Sequence, residues 1–351
     1  MKWTLFKKNT GEQKPKKTKT REWVDAIVFA VIVSTIIRGL LFSAYAIPSG
    51  SMEGTELTGD YLFVSKISYG PRMANTPIAF PFTEPTVYGV KTYWDGIQLP
   101  YFRLPGFTTI KNRDIVVFNK PDEADPKYNL PVDERTCLIK RCVAIPGDVL
   151  TIVNTQVYIN GKPVKNAPKQ QTSYTVVTDG QDINPQLIHD MNIEIRQQIA
   201  PNTYEMIIST ANVATLKSYS NIKSITPVVE TAGLYDAEVF PHNPQFKWNI
   251  DNFGPLKLPK KGWTIPLNDS TLTLYRRAIE VYENNKITLN GKDIRIYGKK
   301  ADSYTFKMVY YWMMGDNRHD SLDSRFWGYV PEDHVIGKAM LTWFSTDSTA
   351  N

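Results

Sequence analysis

The chain is 351 residues long, room for about two domains, and its 42% hydrophobic and 22% charged residues give the balance of a largely soluble, globular protein. Its net charge of +6 is local: residues 1–21 hold eight Lys or Arg against the single acid Glu12, a net +7, so everything after them carries about −1. This leaves nucleic-acid binding without electrostatic support outside the tail, and two cysteines with four scattered histidines (His189, His242, His319, His334) offer no metal-ligand spacing.

Residues 1–22 read as a flexible basic tail on the cytoplasmic side, by the excess of Lys and Arg before an apolar run. From Trp23 to Ala46 the chain is mostly apolar, broken only by Asp25 and Arg38, with Trp23 and Tyr45 as aromatics near the ends. This predicts one membrane crossing over 23–46, with Asp25 at the inner edge and Arg38 snorkelling outward. Ala44-Tyr45-Ala46 mimics a signal-peptide cleavage site. The long basic region and the arginine before that triplet favour a retained anchor instead. Either way the C-terminal bulk lies across the membrane.

Next comes Ile47-Pro48-Ser49-Gly50-Ser51-Met52, two hydroxyls in a glycine-containing turn, readable as a polar turn or as a nucleophile beside an oxyanion donor. Residues 60–66 alternate as a strand. Residues 77–107 hold five prolines and eight aromatics, too many prolines for a long helix. That segment is either a loop packed on its own aromatic rings or a flap resting on the membrane interface.

Strands follow at 114–118 and 137–145, then a hairpin at 149–152 and 157–159. Cys137 and Cys142 stand five apart on one strand, which separates them by about 16 Å on opposite faces. A disulfide needs Cα atoms within about 7 Å, so free thiols are predicted. Ile287-Thr288-Leu289-Asn290-Gly291-Lys292 echoes Val157-Tyr158-Ile159-Asn160-Gly161-Lys162, which two Asn-Gly hairpins explain without a repeat.

Between 165 and 300 the texture changes to an α+β insertion. Residues 184–198 and 204–218 look helical in part, 272–284 reads as an amphipathic helix, and 251–256 reads as a loop. A strand is predicted at 309–314. After it, 315–325 is rich in charge but flanked by apolar and aromatic residues, which predicts a loop pinned against the core.

A serine needs a base to become a nucleophile. No Ser-His-Asp order stands out, and Ser220–Lys223, the one Ser-x-x-Lys, lies in a polar stretch without companions. Lys140 sits in the apolar strand Leu138-Ile139-Lys140-Arg141-Cys142-Val143-Ala144-Ile145, either on an exposed edge or buried. Burial that lowered its pKa by about two units, near 3 kcal/mol of desolvation, would make it a base near pH 8.

Four segments in order resemble the bacterial type I signal peptidases, membrane-bound proteases with a Ser/Lys dyad. They are Ile47 to Met52 with Gly59-Asp60; Arg113-Asp114-Ile115-Val116-Val117-Phe118; Lys140-Arg141 with Pro146-Gly147-Asp148; and Gly315-Asp316-Asn317-Arg318 through Ser321, Asp323, Ser324, Arg325, Trp327 and Gly328. The resemblance implies a mainly β fold: an antiparallel catalytic core in two parts, 47–164 and 301–351, an α+β insertion over 165–300, and one N-terminal transmembrane helix. It implies Ser51 as nucleophile, Lys140 as general base and Ser49 as oxyanion donor with the Ser51 N–H. It implies that Ser321 orients the Lys140 amine, and that Asp323 with Arg325, and Asp316 with Arg141, hold the strands together. Ile47, Pro48, Met52, Leu138 and Ile139 would line shallow pockets for the small side chains of Ala-x-Ala sites.

The same resemblance implies signal peptides of exported preproteins as substrates, the bilayer as a partner, and no cofactor or metal. It places the chain in a bacterial cytoplasmic membrane, with its N-terminus inside and its catalytic part outside. Gly54 and Glu56 stand where the family commonly has Pro and Leu, which touches the P3-side pocket but not the dyad. His319-Asp320 likewise replaces a more usual Asp-Asn. The alternative is a non-catalytic membrane-tethered binding module that retains the fold, though such a module has no need of Ser49, Ser51, Lys140 and Ser321 together. A self-cleaving Ser/Lys repressor fits less well, given the membrane span.

Overall fold

The computed structural model describes residues 18–80, 83–125, 129–291 and 293–346. The expected basic tail therefore lies, up to residue 17, outside the described residues. Helix α1 (Lys19–Ile36) starts where the Thr18 hydroxyl accepts the Arg21 N–H at 3.4 Å, with Glu22 in the first turn. It runs on through a π-helical turn, Ile37–Leu41. Together they form a 23-residue apolar helix of mean hydropathy 2.2 with none of its length buried. The expected span of 23–46 shifts at both ends: the helix begins at Lys19, and Phe42–Ala46 is a strand. Apolarity alone does not separate the two states, and pairing with a neighbouring strand decided for the sheet.

The strands after α1 are β1 (Phe42–Ala46), β2 (Asp60–Ser65), β3 (Ile115–Asn119), β4 (Cys137–Ala144) and the hairpin β5 (Val149–Val153) and β6 (Gln156–Ile159). Then come β7 (Gln171–Thr178), α2 (Pro185–Asp190), β8 (Glu194–Ala200), β9 (Thr203–Ser209), α3 (Thr210–Lys217) and β10 (Ile222–Pro227). They are followed by β11 (Phe253–Lys257), α4 (Asp269–Arg277), β12 (Ile287–Asn290) and β13 (Asp293–Ile296). The chain closes with β14 (Tyr310–Met314), α5 (Ser324–Trp327), β15 (Val330–Pro331) and the long β16 (Val335–Ser345).

The principal sheet has seven strands in the order β1-β2-β16-β3-β4-β14-β15, every pairing antiparallel. This is the mainly β, antiparallel architecture that the sequence implied. The order also interleaves the two expected halves of the core, because β16 and β14 flank the β3–β4 hairpin. Residues far apart in the chain thereby share one sheet.

The stretch 165–300 divides by packing. β8-β9-β7-β10 form a sheet whose Tyr174, Val176, Met206 and Ile208 bury against Leu216 of α3. From Val239 onward the buried residues instead join the core under β4, β5 and β14, where Phe240, Phe253, Tyr275, Trp312 and Tyr329 pack together. Full burial of such side chains contributes about 1.5–3 kcal/mol each. β11 pairs with β5, placing Phe253 opposite Ile152 and Leu256 opposite Leu150. Residues 253–256 are thus a strand where a loop was expected, because both side chains find this core. Residues 184–198 and 204–218 each prove to be half helix and half strand (α2 then β8, β9 then α3). In the second, Ile207 and Ile208 pair with β7, so tertiary pairing overrode a weak local preference.

Residues 77–107 are irregular apart from a two-residue pairing of Thr86–Val87 with Val90–Lys91. Tyr93 is buried, but Phe80, Tyr88, Trp94, Phe102 and Phe107 are exposed, Phe107 to 86%. Phe82 lies outside the described residues. The loop packed on its own aromatic rings is therefore not what forms. Arginines root the segment instead. Arg103 donates to the carbonyls of Gly70 and Val335, and Arg72 to Asn119 Oδ1 and the Asp333 carbonyl. The cysteines are free thiols, Cys137 exposed and Cys142 buried, as opposite faces of one strand require.

Candidate active site

The Ser49–Ser51 turn grows out of β1. Ile47 continues the pairing with β2, its N–H donating to the Asp60 carbonyl at 2.8 Å and its carbonyl accepting from Gly59 at 2.9 Å. Gly50–Met52 then tightens into a 3-10 turn. Ile47 and Met52, 3% and 0% exposed, anchor the turn from both sides in the core. Ser49, extended at φ −141°, stays at the surface, while Ser51 is buried.

Lys140 lies mid-strand in β4 opposite Val116 of β3. The period of two puts it on the same face as Cys142, turned into the protein. Its side chain is buried, which decides between the two readings its sequence allowed. Nζ donates to Ser51 Oγ at 2.6 Å and to the Ile139 carbonyl at 2.9 Å. Burial pushes the Lys140 pKa down to about 8, against a smaller upward pull from Asp323 and Asp316. At pH 7.5 a lysine titrating there is neutral in about one molecule in four, against about one in a thousand for an ordinary lysine.

The segment 315–325 closes over this pair from the end of β14. The Asn317 N–H donates to the Ser51 carbonyl at 3.1 Å, and Asn317 Nδ2 to the Gly50 carbonyl at 3.3 Å. Gly315 has no room for a side chain: a Cβ there would lie 2.4 Å from the Ser51 carbonyl oxygen and 2.2 Å from Ser321 Oγ. Arg141 grips Asp316 with two donors, Nε at 2.7 Å and Nη2 at 2.5 Å, while Thr55 Oγ1 donates to the same carboxylate at 2.6 Å. Asp323 and Arg325, both essentially unexposed, pair at 2.9 Å. Asp323 also accepts the Gly315 N–H at 3.0 Å. The expectation of a charged loop pinned against the core is met in detail.

Ser321 departs from expectation. Its Oγ is buried and has no hydrogen-bond partner among the described residues, so it does not hold the Lys140 amine here. Ser51 Oγ and the Ile139 carbonyl take that place, the latter supplied by β4 itself.

A small cavity of about 60 Å³ opens beside Ser51 and Lys140, lined among others by Ile47, Pro48, Ser49, Leu138 and Ile139. Met52 is not part of that lining. It is fully buried and supports the turn from behind. Tyr45 and Cys137 also line it, two positions that residue-by-residue reading missed. Their signal was their place in strands β1 and β4, next to motif residues. Asn317 and Gly315 were also missed as contacts of the turn, and Thr55 as a donor to Asp316, because only the fold brings these groups together. Among the described residues no group of three or more His, Cys, Asp or Glu side chains is placed to hold a metal. A hydroxyl held against a buried amine of lowered pKa, beside a cleft for a small side chain, can carry out acyl transfer.

Comparison with known proteins bears on this arrangement. The model of the family described as signal peptidase, peptidase S26, matches residues 20–215 and 265–344. Signal peptidase I of Buchnera aphidicola subsp. Schizaphis graminum is 28% identical over 316 residues, covering 90% of this chain and 72% of the relative. Signal peptidase I of Rickettsia bellii is 24% identical over 345 residues, 98% of this chain and 80% of the relative. Over a shorter stretch of 150 residues, 42% of this chain and 46% of the relative, signal peptidase I of Rickettsia massiliae is 31% identical.

Proposed function

Because the chain belongs to the signal peptidase family, peptidase S26, we propose that it is a membrane-anchored serine endopeptidase that removes signal peptides from exported preproteins. The observation that carries this reading is the contact of 2.6 Å between Lys140 Nζ and Ser51 Oγ at a lysine titrating near 8. With the amine neutral, Ser51 O–H donates to it, and Oγ attacks the scissile carbonyl as the proton passes to Nζ. The protonated lysine then returns the proton to the leaving amine. Ser49, exposed at the mouth of the cleft, serves with the Ser51 N–H as the oxyanion donor, a contribution of about 3 kcal/mol to the transition state.

Cleavage after Ala-x-Ala fits a cavity of about 60 Å³ walled by Ile47, Pro48, Leu138 and Ile139, which excludes bulk and offers no charge to bind. The apolar helix Lys19–Leu41 is the anchor, with the basic N-terminus inside and the sheet outside. β1 follows it directly, so Ser51 stands ten residues past the end of the helix and works near the bilayer surface. The exposed rings of Phe63, Trp343 and Phe344 on β2 and β16, and those of the 77–107 segment, are suited to the lipid interface beside it. The catalytic part is made of 47–164 and 301–351, and the sheet of β7 to β10 stands apart as the portion of the insertion with its own core.

The deciding experiment is cleavage of a preprotein carrying an Ala-x-Ala site by the purified protein in detergent. The wild type is expected to cut after the second alanine, and Ser51→Ala and Lys140→Ala to abolish cutting. Activity surviving in either variant would remove the Ser/Lys assignment, and a wild type that binds without cutting would make the chain a binding module.

A further inference from the structure

Asn317 stands in the last of the four motif segments with no role of its own, yet two of its donors reach the turn that carries Ser51. Its backbone N–H donates to the Ser51 carbonyl at 3.1 Å, and its side-chain Nδ2 to the Gly50 carbonyl at 3.3 Å. The side chain is buried, 1% exposed, and its Oδ1 has no hydrogen-bond partner among the described residues. The amide is held this way round, because an oxygen in place of Nδ2 would face the Gly50 carbonyl oxygen. Leaving a buried acceptor unmet is costly, and a residue kept for packing alone would carry no such group. What Asn317 offers is the Nδ2 donor.

Asn317 is itself held from the far side. Gln171, the first residue of β7, donates its N–H to the Asp316 carbonyl at 3.0 Å and accepts the Arg318 N–H at 2.9 Å, a parallel pairing opposite Asn317. With these two groups turned to β7, the alternation of the backbone turns the Asn317 N–H the other way, onto Ser51. The Asn317 carbonyl accepts the Asp320 N–H at 3.2 Å. The residue that grips the turn is thus bonded on both sides.

The peptide unit between Gly50 and Ser51 is planar and trans, so the Gly50 carbonyl and the Ser51 N–H point in opposite directions. Fixing the oxygen therefore fixes the aim of the N–H. Two donors meet that oxygen. The Glu53 N–H, at 2.9 Å, closes the 3-10 turn on itself and moves with it. Asn317 Nδ2 ties the peptide to the loop after β14. The geometry points to Asn317 as a positioning residue of the oxyanion site: its Nδ2 holds the Gly50–Ser51 peptide so that the Ser51 N–H faces the developing oxyanion. This rests on the reading of Ser51 as the nucleophile, and it adds a residue that lies outside the lining of the cleft.

Asn317→Leu keeps the approximate shape of the side chain and the backbone bond to Ser51, but removes the Nδ2 donor. In preprotein cleavage by the full chain in detergent, its kcat is expected to fall about tenfold with KM held within about twofold, a smaller loss than the roughly 100-fold of an oxyanion donor removed outright. The acid limb near pH 8 should not move, because the contact between Ser51 and Lys140 is untouched. A peptide aldehyde ending at an Ala-x-Ala site supplies a further readout. Ser51 Oγ adds to its carbonyl carbon, the carbonyl π pair becomes the oxyanion, and the hydroxyl proton passes to Lys140. Its inhibition constant should rise about tenfold in Asn317→Leu, while that of the matching peptide alcohol, which forms no oxyanion, stays the same.

An unchanged kcat, a shifted acid limb, or an equal loss against aldehyde and alcohol overturns the proposal. Ser51→Ala separates this from the reading beneath it. Cutting by Ser51→Ala removes the nucleophile itself, whereas Asn317→Leu at the wild-type rate beside an inactive Ser51→Ala removes only the positioning role. If Asn317→Leu does not fold, a crystal structure of the wild-type aldehyde adduct decides. The oxyanion is expected within hydrogen-bonding distance of the Ser51 nitrogen, with Asn317 Nδ2 still on the Gly50 carbonyl. An adduct in which that carbonyl has turned away from Asn317 overturns the proposal as well.

Discussion

The carbonyl of Ser51 accepts the backbone N–H of Asn317 at 3.1 Å, so the turn carrying the hydroxyl and the buried loop after β14 are one assembly. Gly315, two residues before that donor, is packed so closely that a Cβ would fall 2.4 Å from the same carbonyl oxygen. Gly315→Ala must therefore displace the Ser51 backbone. A displacement near 1 Å costs on the order of 100-fold in rate, and that loss in kcat/KM for preprotein cleavage is expected while the protein remains folded by circular dichroism. Full activity in Gly315→Ala would show that the loop does not position the serine.

As the general base proposed above, Lys140 would work only when neutral, and its pKa near 8 would set where that happens. Cleavage should therefore fall as pH drops below about 8, with a single ionisation governing the acid limb of the kcat/KM profile. Lys140→Arg should be inactive at every pH, because a guanidinium does not deprotonate. An acid limb at the ordinary carboxylate range instead would point to a different base.

The same shift has a consequence for stability. The folded protein binds the Lys140 proton less tightly than the unfolded chain, so the burial penalty is fully present below pH 8 and is relieved between pH 8 and about 10.5. Replacing the amine by an apolar group of similar shape, Lys140→Met, should abolish cleavage and stabilise the protein at pH 7 by up to about 3 kcal/mol. Denaturant unfolding of the two proteins measures this, and a destabilised Lys140→Met would contradict it.

Ser321 Oγ is buried and unpartnered among the described residues. Ser321→Ala should accordingly leave stability unchanged or raise it by about 1 kcal/mol, since no hydrogen bond is lost. The ionisation near 8 in the pH–rate profile should also stay where it is. A shift of that ionisation on removing the hydroxyl would mean that Ser321 reaches the amine in the working enzyme.

Asp323 and Arg325 form a pair at 2.9 Å with 0% and 1% of their side chains exposed. Asp323→Ala leaves Arg325 charged in the interior and also removes the acceptor of the Gly315 N–H, so a loss of about 3–5 kcal/mol is expected. Arg325, with its hydrogen bonds, outweighs burial and holds the Asp323 carboxyl below its ordinary range. The stabilisation from this pair is therefore present at neutral pH and is lost as pH falls through that lowered value. Asp95→Ala, at the exposed Lys91–Asp95 pair, should change stability very little in the same assay.

Several of these features were legible in the sequence because they are local. The apolar run, the alternating strands, the Asn-Gly turns and the opposed cysteines follow from composition and from the period of two, and the ordered motifs named the serine and the lysine. What only the tertiary structure decided is everything that depends on pairing. Whether Lys140 was an exposed edge residue or a buried one turned on β3 and β14 flanking its strand. Whether 42–46 ended a helix or began a sheet turned on β2. Residues 253–256 became a strand because β5 stood beside them with a core to fill. Ser321 illustrates the limit most sharply: its motif gave it a partner, but the distance between two side chains on separate loops is set by how the whole sheet closes. Local sequence fixes which groups are present, and the register of strands far apart in the chain fixes which of them meet.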